Sequence, residues 1–370
     1  MRRAPGAVLL AAGTFLIVGA VAMPLLVAPA LVKVPLDQSS VTVSTAENAT
    51  VLDFGTLSER TGVDLTATRA VRGDVPAGNK DRSVLKVGVR VVDHAGKEIT
   101  VSTDRVAMDR RTAEAVACCA EEVNGTAFKH EGLTYKFPFG TKKTTYQYFD
   151  NSARKAYPAR FVGTEQLQGL NVYKFQMTVS PIKISEIKVP GTMLGSTEQV
   201  ATAERYYANT RTIWVEPESG VIVRGQEEQL QTLRNTEGVD KVTIIRATLN
   251  FSEDTQKQQA KAAREAQWQI TLLTLVVPLA LGIIGAVLVL LGVIRAVRGS
   301  RGAALAGSDV TDDSAAASGR HRGAGADQPT ASEAGHPGGP ITDVLPPASR
   351  NPLGVPPVPR QERRSGSERR

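Results

Sequence analysis

Two apolar runs frame the chain, and a long alternating segment lies between them. Residues 4 to 32 and 270 to 294 hold no charged side chain, and each run is long enough to cross a hydrocarbon core of ~30 Å at ~1.5 Å per helical residue. Between them, "SVLKVGVRVVD", "KEITVSTDRVAM", "ARFVGTEQL", "LNVYKFQMTVS", "RTIWVEPESG", "VIVRGQEEQL" and "KVTIIRATLNF" alternate apolar with polar residues and are rich in Val, Ile, Thr and aromatics. That is the pattern of strands with one buried face. Turn signals separate them at Asp93-His94-Ala95-Gly96, Gln168-Gly169, residues 216 to 220 and residues 235 to 238. The pattern predicts antiparallel meanders.

A weak echo between "VAMDRRTAEAV" and "IWVEPESGVIV" favours a curved sheet over a sandwich. The stretch 113 to 123 fits a short helix equally well, with Ala113, Val116, Ala120 and Val123 on one face and Asn124-Gly125 as its stop. Before the second apolar run, "TQKQQAKAAREAQWQ" is rich in helix formers, Thr255 and Gln258 have capping-box spacing, and Trp268 sits where an interfacial aromatic belongs. After Arg301 the chain has no Phe, Tyr or Trp and is loaded with Gly, Ala, Ser and Pro, a composition that buries too little apolar surface to fold. The expected architecture is an α+β membrane protein. A transmembrane helix at 1–32, a mostly antiparallel β ectodomain (curved sheet or half-barrel) at 33–254 and a juxtamembrane helix at 255–269 lead to a transmembrane helix at 270–294 and a disordered tail at 295–370.

Charge adds a topology. Arg2 and Arg3 precede the first apolar run, and Arg295, Arg298 and Arg301 follow the second, so the positive-inside bias puts both chain ends in the cytoplasm and the middle outside the cell membrane. The alternative is a cleaved signal peptide with Ala28-Pro29-Ala30 as its site, which exports the middle equally well. The formal charge of +7 divides into +2 at the amino end, +3 in the tail and +2 in the ectodomain. A nearly neutral exported domain lacks the footprint of a nucleic-acid binder.

Cys118 and Cys119 are adjacent, so they form no disulfide framework. They are two buried thiols or a strained vicinal bond, since neighbouring α-carbons lie only ~3.8 Å apart. Nothing in the sequence predicts a metal or a cofactor: there is no other Cys, and the ectodomain histidines His94 and His130 are isolated. No nucleophile elbow, H-E-x-x-H or phosphate loop is present. His130 and Glu131 point to opposite faces if they lie on a strand, and Glu121-Glu122 and Glu227-Glu228 read as solvated charges. No catalytic residues are expected.

The candidate binding stretch is "HEGLTYKFPFGTKKTTYQYFD", which carries six of the chain's eighteen Phe, Tyr and Trp residues. Tyr135, Phe137 and Phe139 recur at period two, as do Tyr146 and Tyr148, so the stretch reads as a hairpin with one aromatic face and a turn at Lys142-Lys143. That face closes the core, or with Trp214 lines an apolar groove for a lipid, or dips into the membrane with Lys142 and Lys143 reaching headgroups. Together with "GLNVYKFQ" and "YANTRTIWVEPESGVIV" between two terminal apolar segments, this stretch resembles an actinobacterial family of envelope proteins labelled porin PorA family. The resemblance spans roughly residues 5 to 300 and implies a two-helix membrane protein with a β-rich exported domain. The expected partners are membrane lipid, an envelope lipid or lipoglycan, or an envelope protein bound by a scaffold. A homo-oligomer through the apolar helices is a further expectation, with Gly282 and Ala286 as the small-xxx-small pair. A pore, the third reading, requires such an oligomer, because one helix pair encloses no lumen.

Overall fold

The computed structural model describes residues 5–305, with side chains from 6 to 298. The two apolar runs are helical, with α1 at Pro5–Ala22, α2 at Ala28–Leu31, α3 at Glu253–Thr271 and α4 at Val277–Leu305. Helix α4 therefore carries on past the expected boundary at 294, and the expected tail beyond 305 lies outside the described residues. Both spans are long and apolar enough to cross a membrane. Each is interrupted by a π turn, at Met23–Val27 and Leu272–Val276. Each turn contains the carbonyl four residues before a proline, Leu25 before Pro29 and Thr274 before Pro278, where a regular helix would drive the ring into that carbonyl.

The helix ends up to Ile17 and from Gly282 form one packed unit, and Val18–Leu281 forms another. In the first, the helices approach through glycines. A Cβ on Gly13 would fall 2.7 Å from the Gly285 carbonyl oxygen, and one on Gly292 would fall 3.0 Å from that of Gly6. Close backbone approach of this kind replaces the hydrophobic effect inside lipid. The small residues used within the chain are thus Gly285 and Gly292; Gly282 is half-buried and Ala286 is exposed.

The segment between the two apolar runs is one antiparallel sheet. Its strands are β1 Ser39–Asp53, β2 Ser58–Gly73, β3 Arg82–Asp93, β4 Glu98–Asp109, β5 Glu122–Val123, β6 Thr126–Ala127, β7 Tyr146–Asp150, β8 Lys155–Leu167, β9 Leu170–Pro190, β10 Val200–Val215, β11 Ile222–Arg234 and β12 Asp240–Phe251. In space they run β6-β5-β4-β3-β2-β1-β12-β11-β10-β9-β8-β7. Every pair is consecutive in the chain except β1 with β12, where Ser44 faces Phe251 and Val51 faces Ile245. Two meandering arms therefore join at the first and last strands.

The arms also curl until their far edges meet. Single-residue bridges run from Met108 of β4 to Ala115, from Glu114 to Leu133, and from Leu133 to Tyr148 of β7. The last bridge is parallel, with Leu133 N–H donating to Gln147 O at 2.7 Å and Phe149 N–H donating to Leu133 O at 2.7 Å. The expected antiparallel aromatic hairpin is therefore replaced by an irregular segment that closes the ring and ends in the short β7. The proposed helix at 113–123 is absent too; its residues are turns and bridges, and Ala113, Cys119 and Ala120 have positive φ. Cys118 and Cys119 form a half-exposed vicinal disulfide rather than two buried thiols.

Curvature leaves an apolar interior and a polar outside. On β2, Val63, Leu65, Ala67 and Val71 are buried in the core, and the alternate residues include Arg60, Asp64, Thr66 and Arg72. On β9, Phe175, Met177 and Val179 are buried, whereas Gln176, Thr178 and Ser180 are exposed. An outward face of this kind suits water, because a lipid-facing barrel wall needs an apolar band.

Helix α3 is capped by Ser252, whose Oγ accepts from Thr255 N–H at 3.2 Å. The expected cap, Thr255, instead fastens the helix to β1, accepting from Val43 N–H at 2.9 Å and donating to Val43 O at 3.1 Å. Ala260 and Ala263 pack on Leu170, Val172, Trp214 and Val223. Further along, Arg264 donates to Gln168 O at 2.8 Å and Gln267 to Glu216 Oε1 at 2.9 Å. The stalk is docked along the sheet, ending one residue before Trp268.

Candidate functional site

The concave side of the sheet encloses a groove of roughly 770 Å³ to which both arms contribute. Its walls mix Val87, Val89, Val91, Ile184 and Leu249 with charged groups carried on inward-facing positions. On β2 the inward series Val63, Leu65, Ala67, Arg69, Val71 is broken by one arginine. On β10 the corresponding series reads Arg205, Tyr207, Asn209, Arg211, Ile213. Period two puts these cations inside.

Glu227 of β11 holds two of them, with Oε2 3.1 Å from Arg211 Nη2 and Oε1 3.5 Å from Arg69 Nη2. Arg211 also approaches Asp150 Oδ2 at 3.4 Å. Asp150 is fully buried and accepts from Tyr207 Oη at 2.9 Å. Burial favours the neutral form of Glu227, but the guanidinium groups of Arg211 and Arg69 outweigh it and hold its carboxyl below the usual range. The Nε atoms of Arg69 and Arg211 are buried in the groove wall without a hydrogen-bond partner.

Beside this network lies a second one. His130 is wholly buried, with Nδ1 2.8 Å from Glu121 Oε2 and Nε2 2.9 Å from Asp104 Oδ1. Burial lowers its pKa, yet the two carboxylates prevail and raise it. Glu121 also accepts from the backbone N–H of Cys118 at 3.0 Å, and Asp104 Oδ2 accepts from Tyr135 Oη and from Asn151 Nδ2 at 2.7 Å. Hydrogen bonds and close charges thus connect the vicinal disulfide to the groove wall. Glu121 and Glu227 are structural partners, not solvated charges. Glu131 turns away from His130 and accepts from Ala156 N–H.

The six expected groove residues separate into four places. Tyr135 and Tyr148 line the groove, with the Arg69 guanidinium 5.8 Å from the first ring and Arg211 5.6 Å from the second. Phe137 is fully buried against Phe175 at 4.9 Å and Tyr148 at 5.7 Å, and Tyr146 packs edge-on to it at 5.4 Å. Phe139 lies under Lys136 Nζ, 4.2 Å from its ring centre. Trp214 is buried on the opposite face of β10 beneath α3, donating from Nε1 to Glu165 Oε2 at 2.6 Å. Sequence reasoning missed Arg69, Asp104, Asp150, Arg205, Arg211 and Glu227. Their signal was a charge at an inward position of an apolar alternation.

The chain matches a family model described as Porin PorA over residues 5–294. It belongs to the Porin PorA family. Among relatives in that family, the porin PorA of Corynebacterium amycolatum is 27% identical over 379 aligned residues, which take in 79% of this chain and 98% of that protein. The porin PorA of Corynebacterium resistens (strain DSM 45100 / JCM 12819 / GTC 2026 / SICGH 158) is 25% identical over 406 aligned residues, covering 81% and 98% respectively. The family match and the two apolar helices fit a membrane or envelope protein. Among the described residues of this family member, no trio of His, Cys, Asp or Glu is arranged to hold a metal ion.

Proposed function

We propose that this family member is a membrane-tethered, non-enzymatic envelope protein whose exported β domain holds an amphipathic lipid or lipoglycan in its groove. Arginines at both helix ends favour cytoplasmic termini and an outward-facing domain. The observation that carries the reading is the mixed wall of the groove, in which apolar side chains from β3, β9 and β12 stand with half-buried arginines, two of whose Nε atoms lack a partner. Amphiphiles are recognised by surfaces of that composition, and the volume is that of a small-molecule site.

The name of the relatives, porin, favours a second reading, a channel. The outward strand faces are polar, and a single helix pair encloses no lumen, so this reading requires an assembly of several copies.

Organic extracts of the full-length protein, purified in nonionic detergent from an actinobacterial host, test the first reading by mass spectrometry. A stoichiometric amphiphile absent from a mock purification supports it. An empty protein rejects it and directs the search to an envelope protein partner. Planar-bilayer recordings on the same preparation test the second reading, which fails if a stable oligomer does not conduct.

A further inference from the structure

We propose that Arg205 is the receptor for an acidic headgroup, carboxylate or phosphate, on the amphiphile held in the groove; this rests on the groove being the binding site. The cations around the groove differ in what neutralises them. Arg211 has Asp150 and Glu227, Arg69 has Glu227, and Lys183 has Glu186 and Glu204 at 2.6 and 2.7 Å. Arg205 has no carboxylate partner among the described residues. Its Nε and Nη2 both donate to the single amide oxygen of Gln231, at 3.0 and 2.5 Å. A half-buried charge is ordinarily paired. This one has only a neutral dipole, and burial pushes its pKa below the ordinary guanidinium value.

The groups around it are donors in search of an acceptor. Arg205 Nη1 makes no hydrogen bond among the described residues. Ser185 faces Arg205 directly across the β9–β10 ladder and, like Gln231, lines the groove. A guanidinium with one free edge, a hydroxyl and a primary amide suit an oxyanion, which accepts two or three charge-assisted bonds. The position is separate from the paired network: Arg205 is six residues from Arg211, about 20 Å along the strand at ~3.3 Å per residue. Val89, Val91, Ile184 and Leu249 of the same groove provide apolar wall for a tail.

The test uses the full chain in nanodiscs of neutral lipid, with parinaric acid and its methyl ester as fluorescent probes and inorganic phosphate as competitor. The native protein should bind the acid on the order of tenfold more tightly than the ester, the scale of one charge-assisted pair. Arg205→Gln should bring that ratio to about one, and Arg205→Lys should keep most of the preference. Because each ratio is measured within one preparation, partial misfolding of a variant does not alter it. Equal binding of acid and ester by the native protein would overturn the proposal and leave the groove as an amphiphile site. Binding of neither probe would remove the groove reading itself. Phosphate that binds as tightly as the acid would overturn the lipid source, because the tail would then contribute nothing.

Discussion

His130 is buried and Lys136 half-buried, and their surroundings drive the two bases in opposite directions. Glu121 and Asp104 raise the pKa of His130 above its value in the unfolded chain. Its stabilising contribution is therefore complete below about pH 6.5 and is lost as pH rises through the folded pKa. The stability difference between native protein and His130→Gln should shrink between pH 6 and 8 in thermal melts; a constant difference from pH 5 to 9 would refute the ion triad. Lys136, beneath the turn at residues 216 to 220, is pushed down by burial to about 7, with Glu216 opposing. Between pH 7 and 10.5 the unfolded chain binds more protons at this site than the folded one, so stability rises with pH across that window. Lys136→Met should stabilise the protein at pH 6 by about 1–3 kcal/mol, with a gain that diminishes toward pH 9. A pH-independent effect would show that the amine is solvated. Neither environment was legible in the sequence, because His130 meets partners nine and twenty-six positions away that only the ring closure brings together.

At the scale of the element, the aromatic stretch was visible in composition but not in conformation. Alternation at Tyr135, Phe137 and Phe139 predicted a strand, whereas the chain there forms bridges and turns; its backbone bonds go to Glu218, Pro217 and Gly220 of the β10–β11 turn. A Cβ on Gly220 would lie 2.1 Å from the Phe137 carbonyl oxygen, so that close packing depends on glycine. Phe137 sits at the centre of the ring cluster. Phe137→Ala should cost about 3–5 kcal/mol, and Tyr135→Phe, which removes a bond to Asp104, about 1–2 kcal/mol. If the segment instead served mainly as a ligand surface, thermal melts would find the two losses similar and small. Strands β1 and β2 escaped the sequence pattern for a local reason: Asn48 has positive φ at an irregularity in β1 that interrupts the alternation. The docked stalk was half legible. Its helix formers were plain, but its start was set by Ser252 because Thr255 is engaged by Val43, a contact across 212 residues.

For the whole molecule, the two apolar helices and the antiparallel meander were written in local periodicity, and the β1–β12 junction and the closure of β4 on β7 were not, since long-range pairing leaves no local signal. The glycines that join the helices belong to the same class of hidden information. Gly13 and Gly285 present backbone to backbone, and any side chain there must push the helices apart. Gly19 has nothing within 4 Å of an added Cβ and provides the control. If the first helix is a retained anchor rather than a cleaved leader, the intact mass of membrane-extracted protein should include residues 1 to 31. With a protease site inserted between Val32 and Lys33, the cleaved first helix should still co-purify with the rest of the native chain. Gly13→Leu or Gly285→Leu should abolish that co-purification and Gly19→Leu should not. Equal retention in all three variants would show that the glycine contact does not hold the pair, and an intact mass lacking the segment would make the first helix a leader.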